Sequence, residues 1–322
     1  MKTVAVIMPV YKAQDTICKT LYSIAMQKAI DYNVYLVVDG EPKGTYDYLL
    51  GFGGMDITIH YLDENSGPAV ARQYGIDHSD EPFISFIDSD DTYLSALAIY
   101  YQHEPFKEEK TVLVSCDFLQ ENKDHTVRLR ERDMVWMHGK MYRRAFLDKY
   151  DIRFNDSRAN EDVGFNTQCQ CLANENEQVY LDRNVTYLWQ WRDNSTVRTD
   201  NQSYAFNESI SGYVENKLYA FDKVLENVEI NDAIQYMMLK GMMHLFKKYL
   251  LAMFRTKKDV KHVKRWAKKY YKAVYPRVSD EYIEKAEKTI LYQTGLDKVE
   301  HYEEFIKWKE QLLTSTKSKR KK

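Results

Sequence analysis

The first part of the chain alternates short apolar runs with segments of helical period. Thr3–Met8 reads TVAVIM, an unbroken apolar run stopped by Pro9, which predicts a strand buried on both faces. Asp15 stands where a helix N-cap would, ahead of Ile17, Leu21 and Ile24 on one helical face. Asn33–Val38 (NVYLVV), Ile57–Tyr61, Phe83–Ile87 and Thr111–Cys116 read as further strands. Pro68–His78 reads as a helix with Pro in its first turn. Strand–helix alternation predicts a parallel-rich sheet covered on both faces, with ligands beyond the carboxyl ends of its strands.

Residues 118–200 are mixed. Gly139–Tyr150 and Glu161–Leu172 have helical patterns, and Val185–Trp191 (VTYLWQW) reads as a strand. From Ser203 onward the pattern is helical throughout, with segments at Tyr213–Leu225, Ala233–Phe254, Val260–Tyr275, Asp280–Leu291 and Lys298–Leu313. Pro276 and Gly295 punctuate them. The change of pattern places a boundary near residue 200. The expected organisation is an α/β domain over 1–200, an all-helical acceptor or interaction domain over 201–314, and a basic disordered tail over 315–322 (TKSKRKK after Ser315).

A chain of 322 residues fits about two domains. Its hydrophobic fraction of 44% and charged fraction of 29% exclude a fibrous or wholly disordered chain. No apolar run is long enough to span a membrane. The opening Met1-Lys2-Thr3 leads straight into a strand, and four cysteines do not make a disulfide framework, so a cytoplasmic setting is expected. Net charge is −2, yet from Lys240 to Arg277 the only acid among many Lys and Arg residues is Asp259. That asymmetry points to a polyanionic partner or to a solvated helix face.

The chemistry-bearing residues follow strands. Asp88-Ser89-Asp90-Asp91 closes the fourth strand; carboxylates this close repel unless a cation or donors offset them, and a hard divalent ion shared with phosphates would do so. Surface turns carry such triplets too. Asp39-Gly40 follows the second strand. Asn65-Ser66-Gly67-Pro68 leads into a helix that carries Arg72, whose guanidinium suits phosphate. Glu161-Asp162 opens another helix, as dipole-offsetting caps or as a general base. Trp191-Arg192-Asp193-Asn194-Ser195-Thr196 adds an Arg and hydroxyls after the last strand of this half.

In order along the chain these pieces resemble the inverting glycosyltransferases of family 2, which have the GT-A fold. Met8-Pro9-Val10-Tyr11 is similar to the opening V-P-x-Y, Val38-Asp39-Gly40 to D-D-G-S, and Asn65–Gly75 (NSGPAVARQYG) to N-x-G-x-x-x-A-R-N-x-G. Phe86–Asp91 (FIDSDD) is similar to F-L-D-x-D-D, His138–Arg144 to N-K-L-Y-R-R, and Ile152-Arg153-Phe154 with Glu161-Asp162 to I-R-F and E-D. The resemblance covers about residues 1–200. It implies a GT-A fold, a Rossmann-like mixed sheet that transfers sugar from a nucleoside-diphosphate sugar. Pro9, Tyr11 and Asp39 would hold the base, with Arg72 nearby. Asp88 would lie on the ribose and diphosphate, and Asp90 with Asp88 would bind Mn²⁺ or Mg²⁺. Asp162 would be the base with Glu161 beside it, and Arg192 and Ser195 would steady the departing diphosphate. The resemblance also implies UDP as the carrier.

The sequence also departs from the family pattern. Val38 replaces the first Asp of the pair, Lys12 stands where Asn is usual, and His138-Gly139 precedes Lys140. His138 could be a further metal ligand or a core histidine. Trp136, Trp189 and Trp191 could form an aromatic acceptor platform or pack. Cys169 and Cys171 read as core thiols.

The helical half lies outside the resemblance. Met237, Met238, Met242, Met243 and Met253 with Leu239, Leu245, Phe246 and Leu250 make an apolar helix suited to a core. Lys257–Lys272 interleaves lysines with Val260, Val263, Trp266, Ala267, Tyr270 and Tyr271. Such a helix could lie on an anionic membrane, track nucleic acid, or pack by its apolar stripe. The expected activity is metal-dependent inverting transfer from a UDP-sugar to a surface glycan or phosphate polymer. Transfer to hydroxylated bases of DNA, and a non-catalytic sugar- or nucleic-acid-binding protein, are the competing readings. Self-association is open to any of them.

Overall fold

The computed structural model describes residues 3–192 and 203–314. The chain divides into two compact units, Met1–Thr199 and Asp200–Lys322.

The first unit is built on one mixed sheet. Its strands are β1 (Val4–Val10), β2 (Tyr32–Asp39), β3 (Ile57–Leu62), β4 (Phe83–Phe86), β5 (Thr92–Tyr93), β6 (Thr111–Glu121), β7 (Val127–Arg130), β8 (Lys140–Arg143) and β9 (Gln178–Trp189). The spatial order is β3-β2-β1-β4-β8-β6-β9-β5, with β7 on β6. The β3-β2-β1-β4 half is parallel; β8 runs antiparallel to both β4 and β6. The chain leaves β1 on one side for β2 and returns on the other for β4, so the carboxyl ends of β1, β2 and β4 bound a topological switch point, where ligands bind in such sheets.

Helices α1 (Ile17–Ala25), α2 (Pro68–Asp77), α3 (Ala98–His103), α4 (Arg144–Lys149) and α5 (Glu161–Leu172) cover the sheet. Ile17, Leu21 and Ile24 of α1 pack on Val4, Val6 and Met8 of β1 and Leu36 and Val38 of β2 in one apolar cluster. β1 is apolar at nearly every position because both its faces are covered.

The strand–helix alternation expected for this half is present. The main difference is at 139–150, where a helix was expected throughout. Lys140–Arg143 instead forms β8, filling the gap between β4 and β6, and α4 begins only at Arg144. Gly139 takes φ +66°, which stops a helix, and long-range ladder pairing then overrides local propensity. The N-cap of α1 is Thr16 rather than Asp15. The last strand begins at Gln178 rather than Val185. Cys169 and Cys171 of α5 are buried and are not joined in a disulfide.

The second unit is helical: α6 (Ser203–Leu225), α7 (Asp232–Met253), α8 (Lys257–Val274), α9 (Asp280–Gln293) and α10 (Val299–Thr314). Met238, Met242 and Met243 are buried, and Phe246 packs against Phe305 and Trp308. Thr256 and Asp259 form a reciprocal capping box at the start of α8. Val263, Ala267, Tyr270 and Val274 are buried, and the Tyr270 hydroxyl donates to the Met238 carbonyl at 2.9 Å. Of the three readings of this basic helix, its apolar stripe is used for packing and is closed to a membrane. Among the described residues no helix is long and apolar enough to cross a membrane.

Candidate functional site

Residues at the switch point are held by loops that two acids dock. Asp39 ends β2, and its two carboxylate oxygens accept the Ser66 and Gly67 amides at 2.7 and 2.9 Å. This seats the 65–67 loop ahead of α2, where a negative charge also suits the helix N-terminus. Gly40 (φ +75°) makes the approach possible, since a Cβ there would lie 2.2 Å from the Asn65 nitrogen. Arg158 closes the same loop from outside, donating to Asn65 Oδ1 at 3.0 Å and to its carbonyl at 2.8 Å.

Glu41, which sequence reasoning missed, docks the other loop. Its carboxylate accepts the Lys12 amide, the Gln14 side chain and the Tyr46 hydroxyl, at 2.8, 2.8 and 2.9 Å. Tyr46 in turn accepts the Ala13 amide. Lys12 sits at φ +49°, and its ammonium lies 5.0 Å from the Tyr11 ring centre. Tyr11 remains 43% exposed at the end of β1, with the half-buried Pro9 two residues before it. A carboxylate two residues after a strand end was the available signal, but its partners lie across the sheet edge.

Arg72 joins the two acidic segments. It is buried on α2 and donates through Nη2 to Asp88 Oδ1 and through Nη1 to Glu161 Oε1, both at 2.6 Å. Burial opposes its charge, but Asp88 and Glu161 more than offset this and hold the guanidinium protonated above its ordinary value. Against its own burial, Asp88 is lowered chiefly by Arg72.

The rest of the acidic turn is differently placed. Asp90 meets Arg192, Nη1 to Oδ2 3.3 Å, and Arg192 also reaches the Lys12 carbonyl. Burial and then the Asp88 charge push the Asp90 carboxyl up. Asp91 is buried, accepting the Tyr187 hydroxyl at 2.7 Å and the Gln190 amide at 2.8 Å. Burial and its two acidic neighbours push it well up.

A metal pair on Asp88 and Asp90 was expected. Among the described residues, the ligand atoms that gather within 4.8 Å of one another are those of Asp88, Asp91 and His138, while Asp90 faces Arg192. Burial pushes His138 down to about 3, so the imidazole is neutral, and its buried Nε2 has no hydrogen-bond partner among the described residues. It stacks on Tyr187 and lies against the Trp136–Trp189 pair, whose rings are 5.0 Å apart. Clustered carboxylates with a neutral imidazole form an oxygen-rich donor set that suits Mn²⁺ or Mg²⁺. The repulsion among the acids is what such an ion would relieve.

Glu161 and Asp162 open α5 behind a left-handed Asn160 (φ +60°). Asp162 is buried and accepts the Val163 amide at 2.8 Å. A carboxylate at a helix start would ordinarily stay ionised at neutral pH. Here burial, then the Glu161 charge, pushes the Asp162 carboxyl well above the usual range, and Arg72, whose hydrogen bonds go to Glu161 and Asp88, offsets only part. Among the described residues the fully buried Lys140 Nζ has no hydrogen-bond partner, and burial pushes it down to about 8. Ser195 lies outside the described residues.

The glycosyl transferase family 2 model matches residues 5–159. The chain is 38% identical over 92 residues to TuaG of Bacillus subtilis (strain 168), provisionally named a teichuronic acid biosynthesis glycosyltransferase; the match covers 28% of this chain and 36% of that protein. It is 26% identical over 175 residues to the teichoic acid poly(glycerol phosphate) polymerase of Staphylococcus epidermidis, covering 49% of this chain and 24% of that one. The chain thus spans about a third and a quarter of the length of these two relatives. Among solved structures, residues 1–349 of S. aureus TarS in complex with UDP-GlcNAc match with a TM-score of 0.70 at 17% identity, covering 97% of this chain and 92% of that one. A mannosyltransferase from Pyrobaculum calidifontis in complex with GDP-Man and Mn²⁺ matches at 0.54 and 15%, covering 96% and 84%. These two likenesses carry the fold, a GT-A sheet followed by helices. The family model thus falls on the unit that holds the Arg72 junction, and that unit carries a glycosyl transferase family 2 domain.

Proposed function

We propose that the first unit transfers a sugar, with inversion, from a UDP-sugar to a hydroxyl of a surface glycan or phosphate polymer. The observation that carries this is the Arg72 junction, which draws the Asp88 turn and the Glu161-Asp162 helix start into one site. A relative named for teichoic acid and another for teichuronic acid favour the surface polymer over hydroxylated DNA. The presence of Asp88, Asp90, Glu161, Asp162 and Arg192 favours catalysis over a binding-only role.

In this reading Pro9 and Tyr11 face the base, Asp39 shapes that subsite by docking the 65–67 loop, and Asp88 faces the ribose and diphosphate. Asp90 and Asp88 hold Mn²⁺ or Mg²⁺, with His138 the nearest neutral donor behind them. Asp90 is preferred to Asp91 because both Asp91 oxygens already accept hydrogen bonds and Asp91 is shut from solvent. The bound ion supplies charge neutralisation to the diphosphate. Asp162 accepts the proton of the acceptor hydroxyl as its oxygen bonds to the anomeric carbon and the bond to the diphosphate oxygen breaks. Glu161 and Arg72 position Asp162, and Arg192 with Ser195 stabilises the departing diphosphate. The helical unit presents the acceptor.

The test is nucleoside-diphosphate release across a panel of nucleotide-sugars with Mn²⁺ and candidate polymers. Release with one donor, lost in Asp162→Asn and Asp90→Asn, supports the reading. Unchanged release in Asp162→Asn overturns the assignment of the base.

A further inference from the structure

The end of α7 exposes three apolar side chains around its last turn. Leu251 and Met253 are each 56% exposed, and Phe254, at the helix C-cap, is 90% exposed. Most other large apolar side chains of this unit fill the helical core, and the remaining exposed ones, Ile230, Val299 and Leu313, stand singly. A bare phenyl ring held in water costs free energy unless something covers it. The turn is also rigidly presented. Thr256 and Asp259 cap α8 immediately afterwards, and the buried Asp259 also accepts the Asn207 side chain at 3.0 Å.

Cations begin at once beyond it. Lys258, Lys261, Arg265, Lys268 and Lys272 recur at spacings of three and four, so they form one stripe along α8. The opposite stripe of the same helix is the buried Val263, Ala267, Tyr270 and Val274. The basic face is therefore turned outward by packing, and its first turns flank the exposed Phe254.

We propose that this corner docks on an anionic lipid bilayer. Leu251, Met253 and Phe254 enter the interface, and the α8 stripe lies over acidic headgroups. Charge complementarity selects an anionic partner, and the apolar trio selects a bilayer over a dissolved polyanion, which offers nothing to bury a phenyl ring. The helix lies with its basic side down, the reverse of an amphipathic helix that buries its own apolar stripe in lipid. The inference is independent of the transferase reading, since none of these residues belongs to that site.

The full chain is sedimented with vesicles of phosphatidylcholine alone and of equimolar phosphatidylcholine and phosphatidylglycerol, at low and high salt. Binding is expected only to the anionic vesicles, and weaker at high salt. The triple variant Leu251→Ser, Met253→Ser, Phe254→Ser is expected to lower the partition coefficient by about tenfold or more. Lys258→Glu with Lys261→Glu is expected to lower it by a similar factor. All substituted side chains are exposed, and circular dichroism with thermal melting checks that both variants fold. Equal binding to the neutral vesicles overturns the proposal, and so does no binding at all. Full retention by the serine variant also overturns it, because the face then reads charge alone, as a soluble polyanion or nucleic acid would require.

Discussion

Arg72 and Glu161 stand 89 residues apart in the chain and meet in a 2.6 Å ion pair, while the other arm of the same guanidinium holds Asp88. One planar cation therefore spaces the acidic turn from the α5 helix start. Lysine, with a single point charge, cannot make both contacts in this fixed geometry.

Arg72→Met should leave the Glu161 carboxylate buried and unpaired. The expected cost is about 3 kcal/mol, the lower end for a broken buried pair because Asp88 retains some access to water. A shift of the urea midpoint measures it. Arg72→Lys should recover part of the stability and less of the activity.

Asp162 carries a stability cost for its role. Its folded pKa is raised, so the folded state binds more protons than the unfolded chain between the ordinary carboxylate range and the raised value. Its stabilising contribution is therefore complete below the unfolded pKa and is lost as pH rises through the folded one. Asp162→Asn should melt higher than wild type at neutral pH while losing about 10²- to 10⁴-fold in turnover. In the wild type, kcat/KM should rise with pH and level off only above the raised pKa. A flat profile across that window would remove Asp162 from the role of base.

Asp90 and Asp91 should separate cleanly. Asp90→Asn is expected to weaken Mn²⁺ binding by about tenfold or more, read by calorimetric titration, with little change in melting. Asp91→Asn should instead cost about 1–3 kcal/mol of stability, because an amide cannot accept from both Tyr187 and the Gln190 amide. The reverse pattern would move the metal inward to Asp88, Asp91 and His138.

Glu41→Ala should free the 12–14 loop that carries the chain on from Tyr11. The donor KM is expected to rise by about tenfold while kcat stays near wild type, since the change affects positioning of bound donor. Steady-state kinetics with the cognate donor checks it.

Local pattern alone determined the strand–helix alternation, the change to an all-helical half near residue 200 and the strand ends after which Tyr11, Asp39 and Asp88 fall. These follow from side-chain period and from turn residues, which act within a few positions of themselves. The motifs also marked Arg72, Glu161 and Asp162. Tertiary structure decided what those groups do to one another. That Lys140–Arg143 is a strand depends on β4 and β6 offering free edges on both sides. That Glu41 organises a loop, and that Asp91 and His138 gather with Asp88 while Asp90 turns to Arg192, depends on partners brought from across the sheet. The raised Asp162 carboxyl is the sharpest case. A helix start predicts an ionised acid, but burial beside Glu161 reverses the outcome, because desolvation and neighbouring charge are properties of the packed site and of no single residue.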